Sequence, residues 1–230
     1  MAKHGYVGNC DIRWSANLAY GIGLIASDGN VHKNGKGILF KSAEEELMLK
    51  FRDALGITNN IGRSARGGES EKKYYYTQFS SVAFWRFLNS IGITPAKSKT
   101  IKSVAVPNQF FPDFLRGLFD GDGTFYSSWD KRWPRSFVFQ ASFASASYPF
   151  VWWLKEMLAD KYGMKGFIRK GAGVYNLRYV KGDSKKLFSA MYYKPGLLFL
   201  SRKYDKMVKA FEYDNLLKSD ANIAIAAVAQ

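Results

Sequence analysis

The chain has 230 residues and carries 34 Lys or Arg against 19 Asp or Glu, so its formal net charge is +15. Hydrophobic residues make up 47% of it and aromatic residues 17%, which is enough for a packed core and excludes a wholly disordered chain. The chain has one cysteine (Cys10) and 2 histidines, so we expect neither a disulfide framework nor a Cys/His zinc cluster. It has no long apolar run and no apolar leader, so we expect no membrane span and an intracellular protein.

The predicted elements of the first half follow the order helix, two strands, helix, two strands, helix. Apolar periodicity and turn residues predict helices at 17–28, 44–55 and 82–91, and strands at 30–33, 36–41, 60–65 and 73–80. We therefore predict an N-terminal arm at 1–16 and a first domain at 17–93. A basic linker that contains prolines follows at 94–111.

The second half repeats this order and predicts a second domain at 112–200. Its helices are predicted at 112–122, 148–162 and 184–193, and its last two strands at 165–170 and 175–181. The turn of its first hairpin is predicted near residues 130–134. Alignment of the halves gives this hairpin nine more residues than its counterpart. A C-terminal segment, 201–230, is predicted to hold a further helix at 203–218 and an Ala-rich tail.

One sequence segment recurs in both predicted first helices, 94 residues apart. It is Gly23-Leu24-Ile25-Ala26-Ser27-Asp28-Gly29 in the first half and Gly117-Leu118-Phe119-Asp120-Gly121-Asp122-Gly123 in the second. Small residues four positions apart (Gly23 and Ser27, Gly117 and Gly121) share a helix face, so we expect the two helices to pack closely. We also expect positive φ angles at Gly29 and Gly123, which follow the helices.

Close packing of these helices would place two carboxylates, Asp28 and Asp122, side by side at the helix C-termini. Carboxylates there repel each other and the partial negative charge of the helix ends, so a cation between them is favoured. Oxygen ligands with partial hydration suit Mg²⁺, and Mn²⁺ or Ca²⁺ could occupy the same sites. Because Asp-Gly is also a common turn dipeptide, this prediction depends on the recurrence of Asp in both copies.

The two segments resemble the signature of the LAGLIDADG homing endonucleases, closely at 117–123 and more loosely at 23–29. The resemblance implies an α+β fold of two pseudo-symmetric αββαββα halves, forming a β-sheet saddle over DNA with the motif helices at the centre. It implies a monomer, without an obligatory protein partner, that hydrolyses both strands of a long asymmetric double-stranded DNA target and leaves short 3′ overhangs. It makes Asp28 and Asp122 the catalytic metal ligands. Asp120, which Ala26 replaces in the other copy, is interpreted as a capping or packing residue.

The resemblance also implies a basic or polar side chain near the attacking water, at the end of a strand. Lys181, at the end of the predicted fourth strand of the second half, fits this catalytic position, and an ordinary surface lysine is an equally good interpretation. Its counterpart in the first half lies near Ser80. Lys41 ends the second predicted strand, and we expect it to cover part of that catalytic role, although the residue aligned with it is Ala144.

The positive charge points to a polyanionic partner, for which a basic surface that only aids solubility is the alternative. Alternation along strands lets one sheet face bind DNA while the other packs. Arg can bind guanine, Gln can bind adenine, and Lys at a loop tip suits phosphate. The predicted DNA-binding residues are Lys33, Lys36, Arg63, Arg66, Lys72, Lys73, Lys131, Arg132, Arg135, Gln140, Arg169, Lys170 and Arg178.

Two other functions stay open on the same scaffold. One is an RNA maturase that assists intron splicing, and the other is a DNA-binding regulator that has lost cleavage activity. The presence of both acids disfavours the regulator, because binding alone does not require them. An unrelated basic structural protein is disfavoured by the paired motifs.

Overall fold

The computed structural model describes residues 10–65, 71, 73–134 and 136–228, with side chains as far as residue 217. Three predicted DNA-binding residues, Arg66, Lys72 and Arg135, lie outside the described residues. Within the described ranges, no helix combines the length and apolarity that crossing a membrane requires.

Two halves with the same element order make up most of the chain. The first half consists of α1 (Ala16–Asp28), β1 (Gly29–Val31), β2 (Gly37–Ser42), α2 (Glu45–Leu55), β3 (Gly62–Ser64), β4 (Tyr74–Ser80) and α3 (Val82–Ser90). The second half consists of α5 (Phe111–Asp122), β5 (Gly123–Trp129), β6 (Phe137–Ser145), α6 (Tyr148–Tyr162), β7 (Phe167–Lys170), β8 (Tyr175–Val180) and α7 (Lys181–Met191). The predicted α+β class with two αββαββα halves is confirmed.

The helix boundaries follow from local capping chemistry, and the glycine caps of α2 and α6 repeat between the halves. Ser15 accepts a hydrogen bond from the Leu18 amide at 3.1 Å at the start of α1, and Ser81 and Ser147 cap α3 and α6 in the same way. Gly56 and Gly163 end α2 and α6 with φ angles of 62° and 61°, a left-handed conformation that glycine adopts without a steric penalty.

Each half contains one four-stranded antiparallel sheet, with strand orders β1-β2-β4-β3 and β5-β6-β8-β7. Alternate residues of the strands pack under the helices. On this helix face lie Ile38, Phe40 and Phe79 in the first sheet, and Phe125, Phe139, Ala141, Phe143, Leu177 and Tyr179 in the second, all of them buried. The other face of each sheet, which we call the open face, is not covered by these helices, so its side chains are available to a ligand.

The segments outside the two halves are more ordered than the sequence predicts. The predicted linker contains α4 (Lys97–Thr100) and a short 3₁₀ turn (Asn108–Phe110). The C-terminal helix α8 spans Ser201–Val228, so it starts earlier than predicted and includes most of the Ala-rich tail. Met207 and Ala210 of α8 are buried in the core, within the part of the helix that the sequence predicts.

The two motif helices, α1 and α5, meet with their backbones in direct contact. A Cβ atom added to Gly23 would lie 2.2 Å from the Phe114 carbonyl oxygen, and one added to Gly117 would lie 2.1 Å from the Tyr20 carbonyl oxygen. Both distances are far inside van der Waals contact. The expected close packing through small residues is therefore present, and it fixes the relative position of the two helix ends.

The expectation of positive φ at Gly29 and Gly123 is wrong. Their φ angles are −76° and −74°, because the chain enters β1 and β5 directly in an extended conformation. Glycine is required there for space: an added Cβ would lie 2.7 Å from the Ile25 Cα and 2.4 Å from the Phe119 carbonyl oxygen, respectively. The sharp turn from helix to strand keeps Asp28 and Asp122 as the last helical residues.

Gly117→Ala is expected to lower the free energy of unfolding by at least about 2 kcal/mol, because the new methyl group meets backbone atoms that cannot move aside. Gly182→Ala is the matched control. It places a methyl group on α7 where nothing lies within 4 Å, and we expect it to leave stability unchanged or raise it by up to about 1 kcal/mol. Urea unfolding followed by circular dichroism measures both, and equal stabilities for the two variants would contradict the close helix contact.

Candidate functional site

Two carboxylates, Asp28 and Asp122, lie at the adjoining C-termini of α1 and α5. A Cβ atom added to Gly121 of α5 would lie 3.1 Å from Asp28 Oδ2, which shows how closely the Asp28 carboxylate approaches the other helix. Asp28 is exposed and Asp122 is partly buried. The predicted juxtaposition of the two acids at the centre of the molecule is therefore what the structure shows.

The protein environment raises the pKa of both acids above the ordinary value of an aspartate. Partial desolvation raises the pKa of Asp28, with Lys203 and Lys97 opposing the shift. Desolvation and the neighbouring Asp28 charge raise the pKa of Asp122 to about 6. A carboxylate whose charge is destabilised by burial and by a second carboxylate is suited to share a cation with it.

The residues present fit a hydrated divalent cation better than a transition metal held by protein alone. Among the described residues, no group of three or more His, Cys, Asp and Glu side chains converges on one point. The two acids would supply one or two oxygen ligands each, and water or phosphate oxygens would have to supply the others. Mg²⁺ keeps several waters and uses few carboxylates in such sites, so the predicted metal agrees with this donor set.

A buried lysine, Lys97, caps the end of α1. Its side chain is 4% exposed, and its Nζ donates to the carbonyl oxygens of Ala26 and Ser27, both at 2.9 Å. Burial lowers the pKa of Lys97 to about 8, although Asp122 and Asp28 favour its charged form. The ammonium group is thus held beside the acids.

A second buried lysine, Lys203 of α8, caps the end of α5 in the equivalent way. Its Nζ donates to the carbonyl oxygens of Phe119, Asp120, Gly121 and Gly123 at 2.8, 2.8, 3.0 and 2.6 Å. Burial lowers its pKa to about 8, against the opposing charge of Asp120. The site therefore contains two acids and two lysines in a pseudo-symmetric arrangement.

Neither lysine was predicted from the sequence as a site residue. Lys97 lies in the predicted basic linker, 94–111, and Lys203 lies at the start of the predicted terminal helix, 203–218. The available signal was their common position: each lies one element beyond the last helix of its half, at the start of α4 or near the start of α8. Extending the repeat by one element would have aligned them.

Lys41, one of the two predicted catalytic lysines, lines a cleft together with Asp28, Ser42, Ala43 and Tyr74. Its Nζ lies 4.8 Å from the centre of the Tyr74 ring and donates to the Ala65 carbonyl oxygen at 3.3 Å. Lys41 lies on the open face, where its neighbour on the adjacent strand is Tyr76. At the equivalent position of the second sheet, Ala144 lies beside Asn176. The structure therefore brings Lys41 into the cleft of Asp28, and the second half has alanine at the equivalent position.

Lys181, the other predicted catalytic lysine, is placed differently from the expectation. It begins α7 instead of ending β8, and its Nζ lies 3.0 Å from the carboxylate of Asp214 on α8 and 5.8 Å from the centre of the Phe139 ring. Because Phe139 belongs to the helix face, Lys181 points away from the open face. This placement removes the geometric basis for a catalytic role, and we do not propose one.

Asp120 lies in the core, in agreement with its interpretation as a packing residue. Its Oδ2 accepts hydrogen bonds from the Tyr20 hydroxyl at 2.7 Å and the Leu200 amide at 2.8 Å. These bonds connect α1, α5 and the residue that precedes α8. Burial raises the pKa of Asp120 to about 6. Asp120 thus holds the helix that carries Lys203 against the motif helices.

The predicted DNA-binding residues fall into three groups. Gln140, Arg169 and Arg178 lie on the open face, as the strand register shows. Lys33, Lys36, Lys131 and Arg132 lie exposed in the turns of the first hairpin of each half. The other three lie away from the open face. Arg63 stacks on the Tyr75 ring at the sheet edge, on the helix-face side, and Lys170 lies opposite Tyr175 on that same side. Lys73 forms an ion pair with Glu71 at 2.9 Å.

A family model described as a LAGLIDADG-like domain matches the chain twice, at residues 15–92 and 113–191. The chain belongs to the LAGLIDADG-like family. Each match includes nearly all of one motif helix, together with the sheet and helices of one half. The family assignment made from the repeated motif is confirmed.

Solved structures with the same fold include members of the LAGLIDADG group at low identity. The LAGLIDADG meganuclease I-AabMI bound to uncleaved DNA gives a TM-score of 0.61 at 13% identity, covering 88% of this chain and 92% of that one. The LAGLIDADG homing endonuclease I-GzeII in complex with its DNA target gives a TM-score of 0.60 at 12% identity, covering 90% of this chain and 92% of that one. Full-length DUF199/WhiA from Thermatoga maritima gives a TM-score of 0.55 at 14% identity, covering 96% of this chain and 72% of that one.

One curated relative is similar over part of this LAGLIDADG-like chain. It is an A-type ATP synthase subunit of Methanopyrus kandleri, 28% identical over 106 residues, or 46% of this chain. The chain spans about a tenth of the length of that relative.

Proposed function

We propose that this LAGLIDADG-like protein is a metal-dependent endonuclease that hydrolyses both strands of a specific, asymmetric double-stranded DNA site. One observation carries the proposal: two carboxylates meet at the ends of packed helices, and a buried lysine lies beside each helix end. In the described structure neither carboxylate accepts a hydrogen bond from a protein group. The DNA-bound meganuclease and homing endonuclease of the same fold support DNA as the ligand.

The acids and lysines have separate roles in the proposed reaction. Asp28 and Asp122 would hold Mg²⁺, which would supply a lowered pKa for a nearby water and neutralise charge on the scissile phosphate. In each strand the oxygen of one water forms a bond to phosphorus as one backbone phosphorus–oxygen bond breaks. The water gives up a proton to solvent, and the leaving oxygen takes one up. Lys97 and Lys203 supply positive charge beside the phosphates, and with a pKa of about 8 each can also deliver that proton.

The open faces of the two sheets would hold the DNA on either side of this centre. Their side chains differ between the halves: Lys41 and Gln78 of the first sheet occupy the positions of Ala144 and Arg178 in the second. Because direct readout depends on such side chains, the two half-sites should have different sequences. We therefore propose an asymmetric target and a monomeric enzyme.

Selection from a randomised double-stranded DNA library tests this function. The purified protein is incubated with the library in Mg²⁺, and cleaved molecules are recovered, amplified and sequenced, with parallel reactions in EDTA and with the Asp28→Asn/Asp122→Asn double variant. We expect a single asymmetric sequence to be enriched only by the unaltered protein in Mg²⁺. Enrichment of bound but never cleaved DNA would instead indicate a regulator, and failure to bind any duplex would overturn the proposal.

A further inference from the structure

The start of α8 is held by a carboxylate from the first half of the molecule. Glu46 lies in the first turn of α2, and its Oε1 accepts hydrogen bonds from the Ser201 amide at 3.2 Å and the Ser201 hydroxyl at 2.5 Å. Ser201 is the first residue of α8. A carboxylate at this position satisfies a free amide of the helix start and complements its partial positive charge. Glu46 therefore supplies an N-terminal cap for α8 from the other half.

A second acid of the α2 start holds the next residue of α8. The Arg202 guanidinium donates from Nε to Glu44 Oε2 at 3.1 Å and from Nη2 to Glu44 Oε1. Two parallel hydrogen bonds fix the direction of the guanidinium as well as its distance. The Arg202 and Glu44 side chains are 60% and 33% exposed, and exposed ion pairs add little to stability. This contact therefore orients α8 more than it stabilises the fold.

Lys203 directly follows these two residues and points to the other half. Its Nζ donates to four carbonyl oxygens at the end of α5, whereas Ser201 and Arg202 bind the start of α2. The Leu200 amide donates to Asp120 at 2.8 Å and fixes the residue before them. The start of α8 thus lies between the two halves, and the direction of the Lys203 side chain depends on contacts with both.

The other buried lysine, Lys97, has no acidic counterpart of this contact among the described residues. Ala96, which precedes it, is uncharged and has a left-handed φ of 59°. Helix α4 joins the second half through the Ser147 hydroxyl, which donates to the Ile101 carbonyl oxygen. Ser147 caps α6 in the position that Glu44 has before α2. Removal of the α2 acids should therefore affect the two buried lysines unequally.

We propose that Glu44 and Glu46 are positioning residues that hold Lys203 against the end of α5. The inference rests on the proposed function, in which Lys203 acts beside the scissile phosphate. The two acids act through the start of α8: they fix Ser201 and Arg202, and the direction of the next side chain follows. Because the acids belong to the first half, Lys203 reaches its working position only when the two halves are docked.

The double variant Glu44→Ala/Glu46→Ala tests this role, with Glu45→Ala as the matched control, since Glu45 is an exposed acid of the same helix turn. Labelling each DNA strand separately resolves the single-turnover rate constant for each strand. We expect the double variant to slow about tenfold the strand that Lys203→Met slows more, as for a slightly displaced catalytic group. The other strand, and the Kd for target DNA, should change by less than about threefold. The control should cleave both strands at the unaltered rate.

Combination with Lys203→Met separates positioning from an independent effect. Acids that act through Lys203 have nothing to position once methionine replaces it. The triple variant Glu44→Ala/Glu46→Ala/Lys203→Met should therefore cleave the affected strand within about twofold of the rate of Lys203→Met alone. Independent effects would instead multiply, and the triple variant would be about tenfold slower.

Hydrogen exchange of the backbone amides of residues 201–204 gives a readout without DNA. The double alanine variant should exchange these amides at least about tenfold faster than the unaltered protein, because their helix start has lost its cap and its ion pair. Glu45→Ala should exchange them at the unaltered rate. Near-identical melting curves verify that all variants fold.

The outcomes distinguish this inference from the proposed function. If the unaltered protein cleaves its target but the double variant exchanges and cleaves as it does, or if the losses multiply with Lys203→Met, the positioning role is overturned and the endonuclease proposal stands. Tighter binding and faster cleavage by the double variant would show that Glu44 restrains Arg202 from the DNA, which also overturns the role. If the unaltered protein cleaves no DNA, both proposals are overturned.

Discussion

Asp28→Asn and Asp122→Asn are each expected to lower double-strand cleavage at least about a hundredfold while changing the Kd for target DNA by less than about threefold. An amide is nearly isosteric with the carboxylate but lacks the charge that holds a divalent cation, so metal-assisted activation of water is lost. Binding is expected to persist because the open faces and hairpin turns, which under the proposed function hold most of the DNA, are unchanged.

Plasmid cleavage in Mg²⁺ and fluorescence anisotropy in Ca²⁺ measure the two quantities. Asp160→Asn is the matched control, because Asp160 is an exposed acid on the outer helix α6. It should cleave at the unaltered rate. Full cleavage by either Asp28→Asn or Asp122→Asn would exclude that acid from the active site, and a parallel loss of binding would indicate a structural role.

Lys97→Met and Lys203→Met are expected to slow cleavage by about a hundredfold each, again with DNA binding largely retained. Methionine preserves the length of the side chain and removes the charge that the structure places beside Asp28 and Asp122. Loss of a single positioned charge or proton donor in an active site has effects of this size. The lost rate should appear in the chemical step, measured as the single-turnover rate constant at saturating enzyme.

Two further variants separate catalysis from folding. Because each lysine also caps a helix end, methionine is expected to lower stability, so Lys97→Arg and Lys203→Arg serve as variants that keep the charge. Lys99→Met and Lys209→Met are matched controls, since both lysines are exposed neighbours on α4 and α8. Methionine variants that retain native circular dichroism and the full single-turnover rate would show that the lysines only cap the helices.

The repeat made the central features of the fold predictable. Small residues at Gly23 and Gly117 predicted close helix packing, and the structure brings them into backbone contact. The recurrence of Asp at positions 28 and 122 then placed two carboxylates together without knowledge of the rest of the chain. These predictions succeeded because a helix face and a helix end are determined by local spacing.

The supporting residues could not be predicted in the same way, because their positions depend on long-range packing. Lys203 reaches α5 across more than 80 residues of sequence, and its role depends on the path of the chain before α8. Lys181 was predicted to end the fourth strand of the second half, but that strand ends at Val180 and Lys181 begins α7. Gly29 and Gly123 were predicted with the wrong φ, since the extended entry into a strand is indistinguishable in sequence from a glycine cap.

The functional differences between the halves were visible only in part. The aligned residues Lys41 and Ala144 revealed one difference from sequence alone, and the structure places Lys41 in the cleft of Asp28. The contacts of Phe211 and Tyr213 on α8 with the longer β5–β6 hairpin were not predictable, because α8 has no counterpart of similar length in the first half.

The proposed shared metal site is tested most directly by anomalous diffraction from crystals of the protein with its selected DNA and Mn²⁺. We expect anomalous density at the ends of α1 and α5, within about 2.6 Å of carboxylate oxygens of both Asp28 and Asp122 and of a phosphate oxygen. Manganese bound elsewhere, or the two carboxylates turned away from the DNA with no density between them, would contradict it.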